Sequence, residues 1–392
     1  MKAIQLIIII LCLWSSALSQ NNEDVIIAKK IVLHSTVMDE ERTIFVSTPS
    51  NYESTNVSYP VFYVLDGDEG SIHYTSGLVA DLATRALCPE MIIVAIANTD
   101  RFRDMTPTVY DRNPNIPSGG ADKFLKCIET EIISFIENNY RTLPYRLISG
   151  HSASGILVTH AFLSHTKLFN SYIGVSPSLW WDSNLFSKVL DENILKVDSK
   201  HRHFYFSIGS KETNHNLDGA LEFYQTMLRK NPKQLQWKFD TIKGEDHGSQ
   251  KTIALYNGLR FIYEDWKYDY QKVGEEGLPY ITSFYESKSA KYGYEIKPSE
   301  EQMNNFGYAL KRTGKLDEAI EIFKMNAENN PRSPNAHDSL AETYLEAGLV
   351  EQSINHYKQA IEYGSAINDL NLNIYKSGLE KAKEEQKKNE NI

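Results

Sequence analysis

Tyr145-Arg146-Leu147-Ile148-Ser149-Gly150-His151-Ser152-Ala153-Ser154-Gly155 decides the reading of this chain. Tyr145 to Ser149 is a short, largely apolar run of strand character, and the apolar residues that begin at Gly155 and end near His165 have helical spacing. Between them lies Gly150-His151-Ser152-Ala153-Ser154-Gly155. A serine on a sharp strand-to-helix turn presents its hydroxyl at the end of a sheet, under a helix N-terminus, and small neighbours let the turn close. The pattern departs from G-x-S-x-G at one place. Ser154 stands where the second glycine is usual, and Gly155 follows one position later.

Working outward, Ile44–Ser47, Val61–Leu65, Met91–Ala97, Tyr172–Val175, Phe204–Ile208 and Leu235–Ile242 read as further strands. Asp122–Tyr140 carries Phe124, Ile128, Ile132, Phe135 and Ile136 at helical spacing, and Gly219–Lys230 is another helix. Strands alternating with helices require parallel pairing and a sheet covered on both faces. Ile92 to Ala97 is apolar without alternation, as such a strand must be. The expectation is a doubly wound, mostly parallel α/β domain over residues 20–270.

Ser152 needs a base, and the base needs an orienting acid. His160 and His165 ride on the helix after the serine, and His201 and His203 border a strand. His247 lies in Gly244-Glu245-Asp246-His247-Gly248, a polar loop just after the last strand, which makes it the expected base. For the acid, Glu212 follows the strand ending at Ile208, and Asp218 is the alternative nearby. Asp246 adjoins His247, and adjacent side chains diverge. An oxyanion would be held by the backbone N–H of Ala153 and by that of Gly67 or Asp68, after the strand ending at Leu65. No metal or organic cofactor is required.

The 392 residues are 41% hydrophobic and 23% charged, with a formal net charge of -10. No basic cluster tracks phosphates, which argues against a nucleic-acid partner. Lys2, the apolar run from Leu6 to Trp14 and Ala17-Leu18-Ser19 read as a signal peptide over residues 1–19, so the protein is expected to be exported to the periplasm or medium. No later stretch approaches the length of a membrane span. Cys88 and Cys127 would either pair or remain buried thiols.

Beyond residue 270 the pattern becomes all-helical: a helical linker over 271–299, two repeats over 300–370 and a charged helical tail over 371–392. Gly314 recurs as Gly348, Leu310 as Tyr344, Phe323 as Tyr357 and Ala319 as Ser353, each 34 residues on. That period and those residue types look like tetratricopeptide repeats, which would pack on the first domain or on Ser283–Tyr292 and offer a surface to a protein partner.

The segments Tyr59–Asp68, Ile93–Thr108, Gly119–Thr142, Arg146–Gly155, Ser176–Asp182, Phe206–Glu212 and Gly244–Ser249, taken together in chain order, resemble the putative-esterase family of α/β-hydrolases, which includes esterase D and enterobactin-type siderophore esterases.

 The resemblance covers most of the first domain and implies an α/β-hydrolase fold with Ser152 as nucleophile, His247 as base and Glu212 at the acid position. It also implies that Arg101, Arg103 and Asp104, together with Trp180 and Trp181, border the substrate cleft. The expected reaction is hydrolysis of a small-molecule carboxylic ester, such as a siderophore lactone or an acylated sugar, through an acyl-enzyme. The competing expectation is a binding or scaffold protein with a vestigial hydrolase domain, working through its repeats.

Overall fold

The computed structural model describes residues 25–110, 115–196, 201–213 and 215–390. The expected signal peptide, with Cys12, lies outside the described residues. Eight strands form one sheet: β1 (Lys29–Ser35), β2 (Glu40–Ser47), β3 (Tyr59–Val64), β4 (Ile92–Ile96), β5 (Thr142–His151), β6 (Ser171–Val175), β7 (His203–Gly209) and β8 (Gln236–Ile242). Their order is β1-β2-β4-β3-β5-β6-β7-β8. The β1–β2 and β2–β4 pairs are antiparallel, and every other pair is parallel. β3, β4, β6 and β7 are buried along their whole length, and β5 over its C-terminal half, because helices cover both faces of the parallel part.

The sequence reading does not single out β1. This strand is at the sheet edge, its side chains alternate between partly covered and exposed, and it carries Lys29 and Lys30. Edge strands need no continuous apolar run, so the signal is weak. The helix α1 (Glu69–Thr84) also goes unannounced, although Asp68 and Ser71 close a reciprocal cap at its start. The helix α2 (Arg101–Met105) is short, and the long helix expected after it forms as α3, which runs from Ala121–Cys127 through a π-helical stretch at Ile128–Ile133 into Ser134–Asn139. The remaining helices of this part are α4 (Ala153–Ser164), α5 (Trp181–Asn193), α6 (His215–Lys230) and α7 (Lys251–Ile262).

Strand order reverses between β3 and β5. From β3 the chain moves outward to β4, then returns to β5 on the other side and proceeds to β8. The crevice beyond the carboxyl ends of two such strands is where an open α/β sheet accepts ligands. Ser152 follows β5 directly, and Asp66 to Asp68 follow β3. Topology alone therefore brings the two segments together.

Cys88 and Cys127 are both buried free thiols. Cys127 belongs to the apolar core on one face of the sheet and Cys88 to the core on the other, so the sheet separates them. The second core does not end at the sheet. Tyr145, Ile173 and Tyr205 on the strands join Tyr263, Trp266, Tyr292, Phe306, Phe323 and Tyr344 in one cluster. The helices α8 (Tyr270–Glu276) and α9 (Leu278–Tyr292) carry this core outward to α10 (Glu300–Arg312), α11 (Leu316–Asn329), α12 (Pro334–Glu346) and α13 (Val350–Ala366), followed by α14 (Leu372–Glu390).

The 34-residue period is visible in the backbone. α10 and α12 start 34 residues apart, as do α11 and α13. Gly314 and Gly348 take φ of 77° and 75°, and the next amides, Lys315 and Leu349, donate to Leu310 and Tyr344 at 3.0 and 2.8 Å. A left-handed residue after a helix closes its last turn, and glycine adopts it without steric cost. No described helix is long and apolar enough to cross a membrane.

Candidate active site

Ser152 has φ 62° and ψ −116°, a conformation that costs a non-glycine residue energy and must be held by its surroundings. Its N–H donates to Val175 O at 3.0 Å, and its carbonyl accepts from Ser178 N at 3.2 Å and Ile156 N at 3.3 Å. The turn is thus pinned to β6, to the loop after β6 and to α4. A Cβ on Gly155 would lie 2.8 Å from Pro177, so the glycine is needed at 155, where the chain has it.

Ser154 does something else. It is fully buried, its hydroxyl donates to Asp66 Oδ2 at 2.7 Å and lies 2.8 Å from His151 O, and it accepts from His151 N at 2.7 Å. Asp66 is also held by Arg101, through Nε at 2.7 Å and a terminal nitrogen at 2.8 Å, and by Asn98 at 2.8 Å. Arg101 reaches His151 O as well, at 3.0 Å. Burial alone would raise the Asp66 pKa. The bonds from Arg101, Asn98 and Ser154 outweigh it, so the carboxylate is held ionised.

His247 and Glu212 meet at 2.7 Å, Nδ1 to Oε2. Glu212 follows β7, is 6% exposed, and receives Gly209 N at 2.9 Å, Ser176 Oγ at 2.7 and 2.8 Å, Asn216 Nδ2 at 3.0 Å and the Gln250 amide. Burial pushes the Glu212 pKa up. The bonds from His247, Ser176 and Gly209 overcome that and bring it down to about 2. Asp218 is exposed on α6 rather than in a loop, so Glu212 alone of the two candidate acids meets the histidine. With Nδ1 facing the carboxylate, Nε2 is the ring nitrogen of His247 available for proton exchange. His151 steadies the same loop: its Nε2 donates to His247 O at 2.6 Å, and the two rings lie 4.7 Å apart.

Among the described residues Ser152 Oγ has one hydrogen-bond partner, Ser178 Oγ at 3.4 Å. Catalytic hydrogen bonds are often unformed before substrate binds. Of the expected oxyanion donors, Ala153 is the first residue of α4, so its N–H has no partner one turn earlier. Gly67 N donates to Ile96 O at 2.7 Å, which points it away from this task. Asp68 N donates to a side-chain hydroxyl, Ser71 Oγ at 2.8 Å in the cap of α1, rather than to a strand carbonyl, so it is the less committed of the two.

The residues expected along the cleft divide. Arg101 lies beside the turn but is committed to Asp66. Arg103 is bound to Glu40 at 2.7 and 3.1 Å and to Asp104 at 2.7 Å, and it offers no free cation. Asp104 is 1% exposed and paired with Arg42 at 2.7 Å, which makes it a core ion pair rather than a cleft residue. Trp181 is buried, its indole donates to Thr108 at 2.9 Å, and its ring stacks on Tyr110 at 5.0 Å. Trp180 is half-buried and donates to Asn216 Oδ1 at 2.7 Å, one bond away from Glu212 and His247. Sequence reasoning misses Ser176, Asn216, Gln250, His151 and Asp66. The visible signals were a serine just past β6 and a glutamine three residues after His247.

These features have parallels in known proteins. The model of the family described as putative esterase matches residues 35–255, more than half of the chain. The ferri-bacillibactin esterase BesA of Bacillus subtilis (strain 168) is 27% identical over 248 residues, covering 57% of this chain and 86% of that protein. A siderophore triacetylfusarinine C esterase of Aspergillus fumigatus is 25% identical over 266 residues, covering 58% and 91%. Among solved structures, an IroE-like serine hydrolase from Shewanella oneidensis matches with a TM-score of 0.67 at 26% identity, over 77% of this chain and 99% of that one. An uncharacterised protein from Capnocytophaga ochracea shares the fold over 89% of this chain, with a TM-score of 0.60 at 16% identity. The chain belongs to the putative-esterase family.

Proposed function

We propose that the protein is an exported serine esterase that cleaves carboxylic esters through an acyl-enzyme. The observation that carries this reading is the His247–Glu212 contact of 2.7 Å beside a serine held at φ 62° after β5. Ser152 Oγ attacks the ester carbonyl carbon while His247 Nε2 takes its proton. The oxyanion is received by the N–H of Ala153, with that of Asp68 as second donor. Collapse expels the alcohol, which takes the proton from His247. Water, activated by the same nitrogen, then releases the acid and restores Ser152. Glu212 holds the imidazole and balances its charge.

The substrate class proposed is a siderophore ester or lactone, as the named activities of the relatives suggest, with an acylated carbohydrate as the second candidate. The helices from Glu300 to Ala366 are read as two tetratricopeptide-type repeats offering a face to a protein partner, on the strength of their 34-residue spacing. The leader at residues 1–19 supports export. The test is hydrolysis of short p-nitrophenyl esters and of iron-loaded and iron-free siderophore esters, with Ser152→Ala as control. Turnover by the parent chain and background rates for Ser152→Ala support the proposal. No turnover, together with no labelling by a fluorophosphonate, would refute it.

A further inference from the structure

Asp122 on α3, His160 on α4 and His165 just beyond α4 bring three donor atoms within 4.8 Å of one another. His160 Nε2 and His165 Nε2 both face Asp122 Oδ1, at 2.6 and 3.0 Å. We propose that these three side chains form a binding site for a divalent transition metal ion, with zinc as the best fit and one coordination position open to solvent.

Two imidazole nitrogens and one carboxylate oxygen suit zinc, copper or nickel, and they disfavour magnesium and calcium, which take oxygen ligands. Bonds of about 2.0–2.1 Å at tetrahedral angles separate neighbouring ligand atoms by about 3.3 Å. The two observed nitrogen–oxygen spacings, 2.6 and 3.0 Å, need to open by about 0.7 and about 0.3 Å. Asp122 can supply that, because its side chain is 71% exposed while His160 and His165 are 13% and 34% exposed. The partly covered histidines supply a fixed edge, and the exposed carboxylate closes on the ion.

The site stands apart from Ser152. α4 begins directly after the serine and runs 12 residues to Ser164, a length of about 18 Å at 1.5 Å per residue. A bound ion would tie the far end of that helix to the start of α3. It would stabilise the fold without taking part in ester cleavage.

The test is titration of the purified, metal-free chain with Zn2+ alone, followed by calorimetry and by thermal melting, and with Co2+ for its visible absorption. Expected are a single saturable site with Kd of about 10 μM or tighter, a rise in Tm with Zn2+, and a tetrahedral Co2+ spectrum. His160→Gln/His165→Gln should lose all three, and Asp122→Asn should bind at least about tenfold more weakly. Metal-free Tm and ester turnover should match the parent. If the double variant is unstable, His165→Gln alone, at the more exposed histidine, decides the matter through the same readouts. Absence of saturable binding, or binding that survives these substitutions, would overturn the proposal.

Discussion

The Ser154 hydroxyl donates to Asp66 Oδ2 at 2.7 Å, joining the Ser152 turn after β5 to the segment that follows β3. The serine in place of the usual glycine therefore fastens this turn to the chain leaving the neighbouring strand. It also accepts the His151 N–H, so one hydroxyl holds the residue before Ser152 and the loop that carries Asp68.

Ser154→Ala should leave the His151 N–H without its acceptor and remove one donor from Asp66. An unsatisfied buried group costs about 1–3 kcal/mol. If half or more of that falls on the transition state, kcat/KM drops about 2- to 160-fold. Steady-state kinetics on a p-nitrophenyl ester checks this, and an unchanged kcat/KM would mean that the hydroxyl merely fills space.

Glu212→Gln keeps shape and removes the charge that faces His247. A loss of about 10²- to 10⁴-fold in kcat is expected from the wrong imidazole tautomer and the missing counter-charge. The substitution should also alter acid stability. Because folding lowers the Glu212 pKa from 4.5 to about 2, its ionised form stabilises the native state above pH 4.5, and that contribution disappears as pH falls towards 2. Chemical denaturation from pH 5 to 2 should show a shallower decline in the variant.

His203 also weakens the fold on acidification, here because folding favours its neutral form. It is 2% exposed, its Nε2 lacks a partner among the described residues, and burial holds its pKa at about 3 against the ordinary 6.5. The unfolded chain therefore binds a proton that the folded chain refuses, and stability falls as pH drops from 6.5 towards 3. His203→Phe keeps a ring against Tyr292 and should flatten that part of the pH profile, as measured by Tm between pH 7 and 4.

Tyr292→Ala tests whether the C-terminal helices and the sheet share one core. Its ring packs on Tyr145, Tyr263 and Trp266, and its hydroxyl donates to Ile262 O at 2.8 Å. A buried aromatic truncated to alanine costs about 3–5 kcal/mol. A single unfolding transition, lowered as a whole, is expected in urea. Separate transitions for the two parts would show that they fold independently.

The sequence by itself determined the mostly parallel sheet, the strand–serine–helix turn and the order of Ser152, the candidate acids Glu212 and Asp218, and His247. Those features rest on local patterns: apolar runs, helical spacing and polar residues at strand ends. The 34-residue period was equally local, because each repeated residue closes or packs its own helix pair. Tertiary structure decided which neighbours those residues found. Arg103 and Asp104 read as cleft residues until folding set them against Glu40 and Arg42, more than 60 residues away. Glu212 was separated from Asp218 only when α6 began at His215 and carried Asp218 to its exposed face. The donors to Glu212 come from Ser176, Gly209, Asn216 and Gln250, on four different segments, and no short motif contains them. A strand order that reverses between β3 and β5 brings Asp66 to Ser154, because only the sheet places residues 88 positions apart within one hydrogen bond.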